Sequence, residues 1–283
     1  MTLKNIFKKE RNIIIGALHF APLPGYKECP GIKVILENAL KDLRAFEEGG
    51  VDGVIIENNY DIPHTEKVSK ETVAAMTYLG EKLKEKTRLP IGVSVLWNDH
   101  EASISIAKTI GGKFVRIPVF VDTAKTAYGI MEGKWKEVTA YQEKIKAKNV
   151  ALFTDIHVKH AEIISKMSIV ESAHMAIQKG SDALIITGKW TGDAPDLEEL
   201  KKVKQTVKKF PILIGSGVDK KNIQELLRHA NGVIVSTSLK KGGVKTGEIN
   251  IKAWQQRIMK TKVARLTKYQ RTSTLIQGMK SVR

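Results

Sequence analysis

Polar residues able to do chemistry recur at one kind of place in this chain, at the end of a short apolar run. His19 follows Ile13–Leu18, Glu57 and Asn58 follow Gly53–Ile56, and Asn98 and Asp99 come just after Ile91–Leu96. Asp155 comes just after Val150–Phe153, Thr187 and Gly188 follow Ala183–Ile186, Ser216 lies beyond Ile212–Ile214, and Ser236 follows Val233–Val235. Arg116 sits inside Phe114–Ile117, one residue from its end. Carboxylates such as Glu57 and Asp155, gathered at one place, act as base and acid or hold a divalent cation. His19 is suited to proton transfer near neutral pH, although histidines also serve as hydrogen-bonded structural groups. The fork of donors on Arg116 clamps an anion or pairs with Glu57 or Asp155 in a buried site. Asp61 and Asp99 read as caps or ion-pair partners as readily as functional groups.

The stretch Asp155-Ile156-His157-Val158-Lys159-His160 concentrates three ionisable types. Lys159 falls on a loop, where contact with a phosphate or carboxylate fits it better than imine chemistry, which needs a depressed amine pKa. His157 and His160 are spaced to permit metal ligation, but no third ligand stands at a defined spacing. No metal ligand is therefore assigned, and no cofactor. Two further loops suit an anion. Gly215-Ser216-Gly217 follows the seventh run, and Ser236-Thr237-Ser238-Leu239-Lys240 follows the eighth, with Gly242-Gly243 beyond. Glycine lets backbone N–H groups approach an oxyanion, and hydroxyls add donors. In many barrels these two loops form a phosphate site. Gly215, Ser216, Gly217, Ser236, Thr237 and Ser238 are thus the expected phosphate contacts, although tight turns alone also account for the glycines. A Gly217→Asp change is expected to weaken binding of phosphorylated ligands. Glu57→Gln is expected to lower activity and leave thermal stability near that of the parent.

Elements must bring these residues together. Continuous apolar runs are typical of parallel strands buried on both faces. Between them lie segments of helical periodicity near 33–48, 69–86, 100–110, 135–148, 169–179, 197–208, 220–228 and 251–260. Eight βα units predict an α/β protein, a single (β/α)8 TIM barrel over residues 1–260, followed by a basic C-terminal extension over 261–283. Polar residues at the strand ends would then line its active face. A doubly wound sheet would want a glycine-rich loop after the first strand, and His19–Gly25 (HFAPLPG) is not one. The long connection 118–149 is expected to extend over the mouth as a lid.

Composition sets the outer bounds. No apolar stretch approaches the roughly 20 residues of a membrane span, and the N-terminus shows no signal-peptide pattern, so a cytoplasmic address, possible membrane periphery included, is expected. The lone Cys29 excludes an internal disulfide. Lys and Arg total 47 against 30 Asp and Glu, for a net charge of +17. The residues from Met259 onward hold seven of these cations, from Lys260 to Arg283, and no acid. Such a tail attracts anionic lipid or nucleic acid, or is simply solvated. Partners read from the sequence are a small phosphorylated ligand, an anionic membrane or nucleic acid at the tail, and a second copy of the chain.

The stretches Gly16–Gly25 (GALHFAPLPG), Asp52–Asn58 (DGVIIEN), Gly92–Asp99 (GVSVLWND) and Phe114–Arg116 resemble the BtpA/SgcQ family. So do Asp155–Ala161 (DIHVKHA), Thr187-Gly188 with Thr191-Gly192, Gly215–Val218 (GSGV) and Gly232–Lys240 (GVIVSTSLK). The resemblance runs from about residue 12 to 260 and implies a barrel similar to the ribulose-phosphate-binding type. It implies either sugar metabolism or a role in photosystem I biogenesis at a thylakoid surface. Ser94 and Trp97 stand where family members often carry Asn and Arg, and Pro118 where Asn is common. Three functions follow as expectations. The first is a sugar-phosphate isomerase, lyase or phosphoesterase. It would use His19, Glu57, Asp155 and Lys159 for catalysis and Asn58, Asn98, Arg116, His157, Thr187 and Gly188 for ligand contact. The second is a non-enzymatic assembly factor, and the third a flavin-binding barrel.

Overall fold

The computed structural model describes residues 1–239 apart from Thr191. The expected helix at 251–260, Lys240, Gly242-Gly243 and the basic extension lie outside the described residues. In chain order the elements begin α1 (Leu3–Phe7), β1 (Ile13–His19), α2 (Ile32–Glu48), β2 (Gly53–Glu57), α3 (Lys70–Lys84), β3 (Ile91–Ser94), α4 (His100–Thr109) and β4 (Phe114–Ile117). They continue with β5 (Thr123–Thr126), β6 (Gly129–Glu132), α5 (Trp135–Lys144), β7 (Ala151–Ile156), β8 (Ala161–Ile163) and α6 (Ile169–Gln178). Last come β9 (Ala183–Ile186), α7 (Leu197–Val207), β10 (Ile212–Ile214), α8 (Ile223–His229), β11 (Gly232–Val235) and a short 3-10 helix, Thr237–Leu239.

Eight parallel strands close into a barrel in the order β1, β2, β3, β4, β7, β9, β10, β11, with β11 pairing back onto β1. The apolar runs conceal an alternation, because successive side chains of a strand point to opposite faces. Ile13, Ile15 and Ala17 of β1 join Ile55, Phe114, Phe153, Ile185, Leu213 and Ile234 in the barrel interior. Ile14, Leu18, Val54, Val93, Val115, Leu152, Leu184, Ile214 and Val233, one residue out of step, pack with the helices. Both faces are buried, so the sequence shows runs. The interior is tight enough that a Cβ at Gly92 would overlap the Phe114 ring, which stacks on Phe153 at 4.6 Å.

Helix α1 was not predicted. Its Leu3, Ile6 and Phe7 close the end of the barrel away from the mouth. The Phe7 ring centroid lies 5.6 Å from that of Phe114 and 6.4 Å from that of Phe153. At the same end three polar residues that precede strands pin their neighbours' register. Asp52 Oδ2 accepts from Ile14 N–H at 2.8 Å, Asp182 Oδ2 from Leu152 N–H at 2.9 Å, and Asn231 Oδ1 from Ile212 N–H at 3.1 Å.

The long connection after β4 is a β5–β6 hairpin, to which β8 adds on the far edge of β5. This three-stranded antiparallel sheet has its own small core, in which Ala124 of β5 and Met131 of β6 meet Trp97, Val119 and Val158 from the loops that leave β3, β4 and β7. Strand β7 runs to Ile156, three residues beyond the predicted apolar run, and so includes Thr154 and Asp155. Strand β3 stops at Ser94, two residues early. No helix among the described residues is long and apolar enough to cross a membrane.

Candidate active site at the barrel mouth

Continuing the interior alternation toward the strand C-termini gives the next inward position on each strand. Those positions are His19, Glu57, Ser94, Arg116, Asp155, Thr187, Gly215 and Ser236. The apolar interior therefore ends in polar side chains contributed by every strand but β10, whose next inward position is Gly215. A Cβ at Gly215 would lie 3.6 Å from Arg116 Nη2, so Arg116 reaches across the interior.

Arg116 organises this layer. Its Nε donates to Asp155 Oδ1 at 2.8 Å and its Nη2 to Asp155 Oδ2 at 2.7 Å, while Nη1 lies 3.6 Å from Glu57 Oε1. His19 Nε2 lies 3.4 Å from Glu57 Oε2. Glu57, Arg116 and Asp155 are all buried. Burial alone would raise the Glu57 carboxyl. The hydrogen bond and charge of His19, then the charges of Arg116 and Lys159, outweigh that and bring it down to about 2. Burial pushes the Asp155 carboxyl up, with Arg116 and Lys159 opposing it. Burial likewise disfavours the charge on Arg116, but Asp155 and Glu57 more than offset it. Of the two readings of Arg116, the ion pair with both carboxylates describes its geometry, and every nitrogen faces one of them.

Several expected ligand contacts instead tie the mouth loops together. Asn58 Oδ1 accepts from Leu96 N–H at 2.7 Å and its Nδ2 donates to Leu96 O at 3.2 Å. Asn98 repeats the motif on Val119, at 2.9 and 3.0 Å. Asp61 accepts from Leu23 N–H at 2.8 Å, and Asp99 caps α4 through Ala102 N–H at 2.9 Å. Thr187 Oγ1 accepts from Lys159 N–H at 2.9 Å. Ser216 Oγ accepts from Gly188 N–H at 2.9 Å and donates to Asp193 O at 3.0 Å. Gly217 has φ +64°, and a Cβ there would overlap the Asp193 and Ala194 backbone, so the segment before α7 covers this turn. His157 Nε2 lies 3.2 Å from Met167 O, and the His160 ring is 5.4 Å from that of Trp190, so the two histidines face different neighbours.

What remains open at the mouth is specific. Among the described residues, the oxygens Ser94 Oγ, Ser236 Oγ and Ser238 Oγ are buried without a hydrogen-bond partner, and Glu57 Oε1 has only its 3.6 Å ion-pair contact with Arg116. Buried polar atoms are ordinarily paired, so these oxygens mark where a polar molecule would complete the layer. Ser236 and Ser238 sit on the loop that carries the short 3-10 helix, where two hydroxyls can donate to an oxyanion. In the sequence Ser94 looks ordinary, a serine closing an apolar run. Its spacing of two from inward-facing Gly92 was the available signal.

Comparison with known proteins supplies the lineage. A model of the BtpA family matches residues 10–269, which takes in the first nine residues of the segment expected to be an extension outside the resemblance. An uncharacterized protein of Archaeoglobus fulgidus is 41% identical over 235 residues, spanning 83% of this chain and 94% of its own. The photosystem I biogenesis protein BtpA of Synechocystis is 36% identical over 235 residues, 82% of either chain. Among solved structures, (S)-3-O-geranylgeranylglyceryl phosphate synthase from Thermoplasma acidophilum, in complex with sn-glycerol-1-phosphate, matches with a TM-score of 0.57. It covers 92% of this chain and 98% of its own at 15% identity, a likeness of fold. On the extent of the family match and the level of identity to these relatives, the chain belongs to the BtpA family.

Proposed function

We propose that the protein is a barrel enzyme that binds a small phosphorylated metabolite in its mouth and moves a proton on it. The observation that carries this reading is the pair of buried hydroxyls of Ser236 and Ser238 on the loop after the last strand, which have no hydrogen-bond partner among the described residues. A phosphate group would accept from both, and barrels commonly bind phosphate at that place. The barrel of similar fold from Thermoplasma acidophilum, with its sn-glycerol-1-phosphate, is consistent with it.

The charge layer then assigns roles. A Glu57 carboxyl held near 2 is a weak base. It serves better as a fixed anion that orients His19, and His19 carries the proton. Asp155 is anchored by Arg116 and supplies a second fixed negative charge. Lys159 is close enough to act on both carboxylates and stabilises negative charge developing on the ligand. Isomerisation, retro-aldol cleavage and phosphate-ester hydrolysis all draw on this set. A second reading, a biogenesis factor without catalysis, rests on the name of the Synechocystis relative.

Calorimetric titration with inorganic phosphate and with sn-glycerol 1-phosphate tests the proposal. Binding to the parent protein, weakened at least tenfold in a Ser236→Ala/Ser238→Ala variant, is the expected result. That loss corresponds to about 1.4 kcal/mol, modest for two hydrogen bonds to a charged group. Absence of binding to either ligand would refute the proposal and favour the biogenesis reading.

A further inference from the structure

We infer that Ser94 and Glu57 form a subsite that reads one hydroxyl group of the ligand, apart from the phosphate end. This rests on the phosphorylated-ligand reading above and adds to it what the rest of the ligand must carry. Ser94 is fully buried, and its Oγ has no hydrogen-bond partner among the described residues. Glu57 Oε1 makes no hydrogen bond either, its one neighbour of opposite charge being Arg116 Nη1 at 3.6 Å. The two residues are direct register partners on the adjacent parallel strands β2 and β3, so their backbones stand about 4.8 Å apart. Both side chains point inward by the alternation set by Gly92 and Ile55. The serine hydroxyl does not hydrogen-bond the carboxylate beside it, and the subsite is assigned to the gap between them.

The chemistry of that gap is restrictive. A carboxylate oxygen only accepts, whereas a serine hydroxyl both donates and accepts. A single hydroxyl satisfies both, donating to Glu57 Oε1 while accepting from Ser94 Oγ. A carbonyl or ether oxygen would leave the carboxylate unmatched. An ammonium group would sit beside Arg116 and within the field of Lys159, which already act on Glu57. Around the ring β3 lies three strands from β11, which carries Ser236. The hydroxyl and phosphate positions are therefore on different walls, and the ligand must reach between them. His19 is the register partner of Glu57 on its other side. The hydroxyl is thus read next to the residue assigned to carry the proton.

The test compares three kinds of probe by calorimetry. They are inorganic phosphate, polyol phosphates of three to six carbons including sn-glycerol 1-phosphate, and alkyl phosphates of matched length. In the parent protein at least one polyol phosphate should bind ten times or more tighter than its alkyl counterpart. Ser94→Ala should reduce that preference to threefold or less and leave inorganic phosphate affinity unchanged. Ser94→Cys, which keeps the volume and weakens the donor, should behave like the alanine variant. Equal binding of polyol and alkyl phosphates by the parent, or a preference that survives Ser94→Ala, would overturn the subsite while leaving the phosphate reading intact. Equal weakening of all three probe classes by Ser94→Ala would assign Ser94 a structural role and overturn it too. Failure of every probe to bind, inorganic phosphate included, would remove the phosphate reading and the subsite with it.

Discussion

Glu57 makes a stability commitment that its position in the sequence did not disclose. Residue types at strand ends showed that His19, Glu57, Arg116 and Asp155 would meet. They could not show that Glu57 is buried between His19 and Arg116, where neutralising it has a cost. Its folded value of about 2 lies below the ordinary 4.5, so between those values the unfolded chain binds the proton more readily. The resulting stabilisation, on the order of 3 kcal/mol, is fully present above about pH 5 and disappears as pH falls toward 2. Urea unfolding of the parent and of Glu57→Gln should therefore differ most near pH 7, against the expectation from the sequence that stability would stay near that of the parent, and converge only as pH approaches 2. A difference that does not change with pH would mean that Glu57 is not ionised in the fold. Arg116 should be more sensitive still. Arg116→Met leaves two buried carboxylates without their cation and should cost about 3–5 kcal/mol in the same assay. Arg116→Lys should recover only part of that, because the fork to Asp155 is lost. A full recovery by Lys would show that charge alone matters there.

At the scale of elements, the barrel strands were legible because burial on both faces leaves an unbroken apolar run. The exceptions have local causes. Polar Thr154 and Asp155 hid the end of β7, because Thr154 pairs with Ser181 at 2.9 Å and Asp155 pairs with Arg116. The β5–β6 hairpin has four-residue strands, TAKT and GIME, whose burial depends on the small sheet they form. Helix α1 has five residues, too few to show a period. It matters nonetheless, because Phe7 packs on the two aromatic rings at the base of the interior. Phe7→Ala should destabilise the protein by about 3 kcal/mol or more and leave phosphate affinity at the other end unchanged. A loss of affinity at constant stability would mean that the two ends are coupled. The turn after β10 also differs from expectation. Gly217 combines a left-handed φ with a covering backbone, so Gly217→Asp would report on folding before it reported on charge.

At the scale of the whole molecule, the +17 charge is a property the barrel does not require. The basic segment lies outside the described residues, and the sequence carries the argument. Seven cations without an acid attract anionic surfaces. That attraction should fade as the screening length falls from about 10 Å at 0.1 M salt to about 3 Å at 1 M. A full-length variant with Gln at Lys262, Arg265, Lys268, Arg271, Lys280 and Arg283 should co-sediment less with phosphatidylserine-containing vesicles at low salt. Equal sedimentation would place any contact elsewhere on the molecule.

A phosphorylated ligand that completes the mouth should be held at the last strand. A crystal structure of the full chain grown with sn-glycerol 1-phosphate tests it most directly. Phosphate density within about 3 Å of Ser236 Oγ and Ser238 Oγ, with the rest of the molecule running toward Glu57 and Ser94, is the predicted result. Density only on surface lysines, with the mouth empty of ligand, would refute a phosphate site at the last strand.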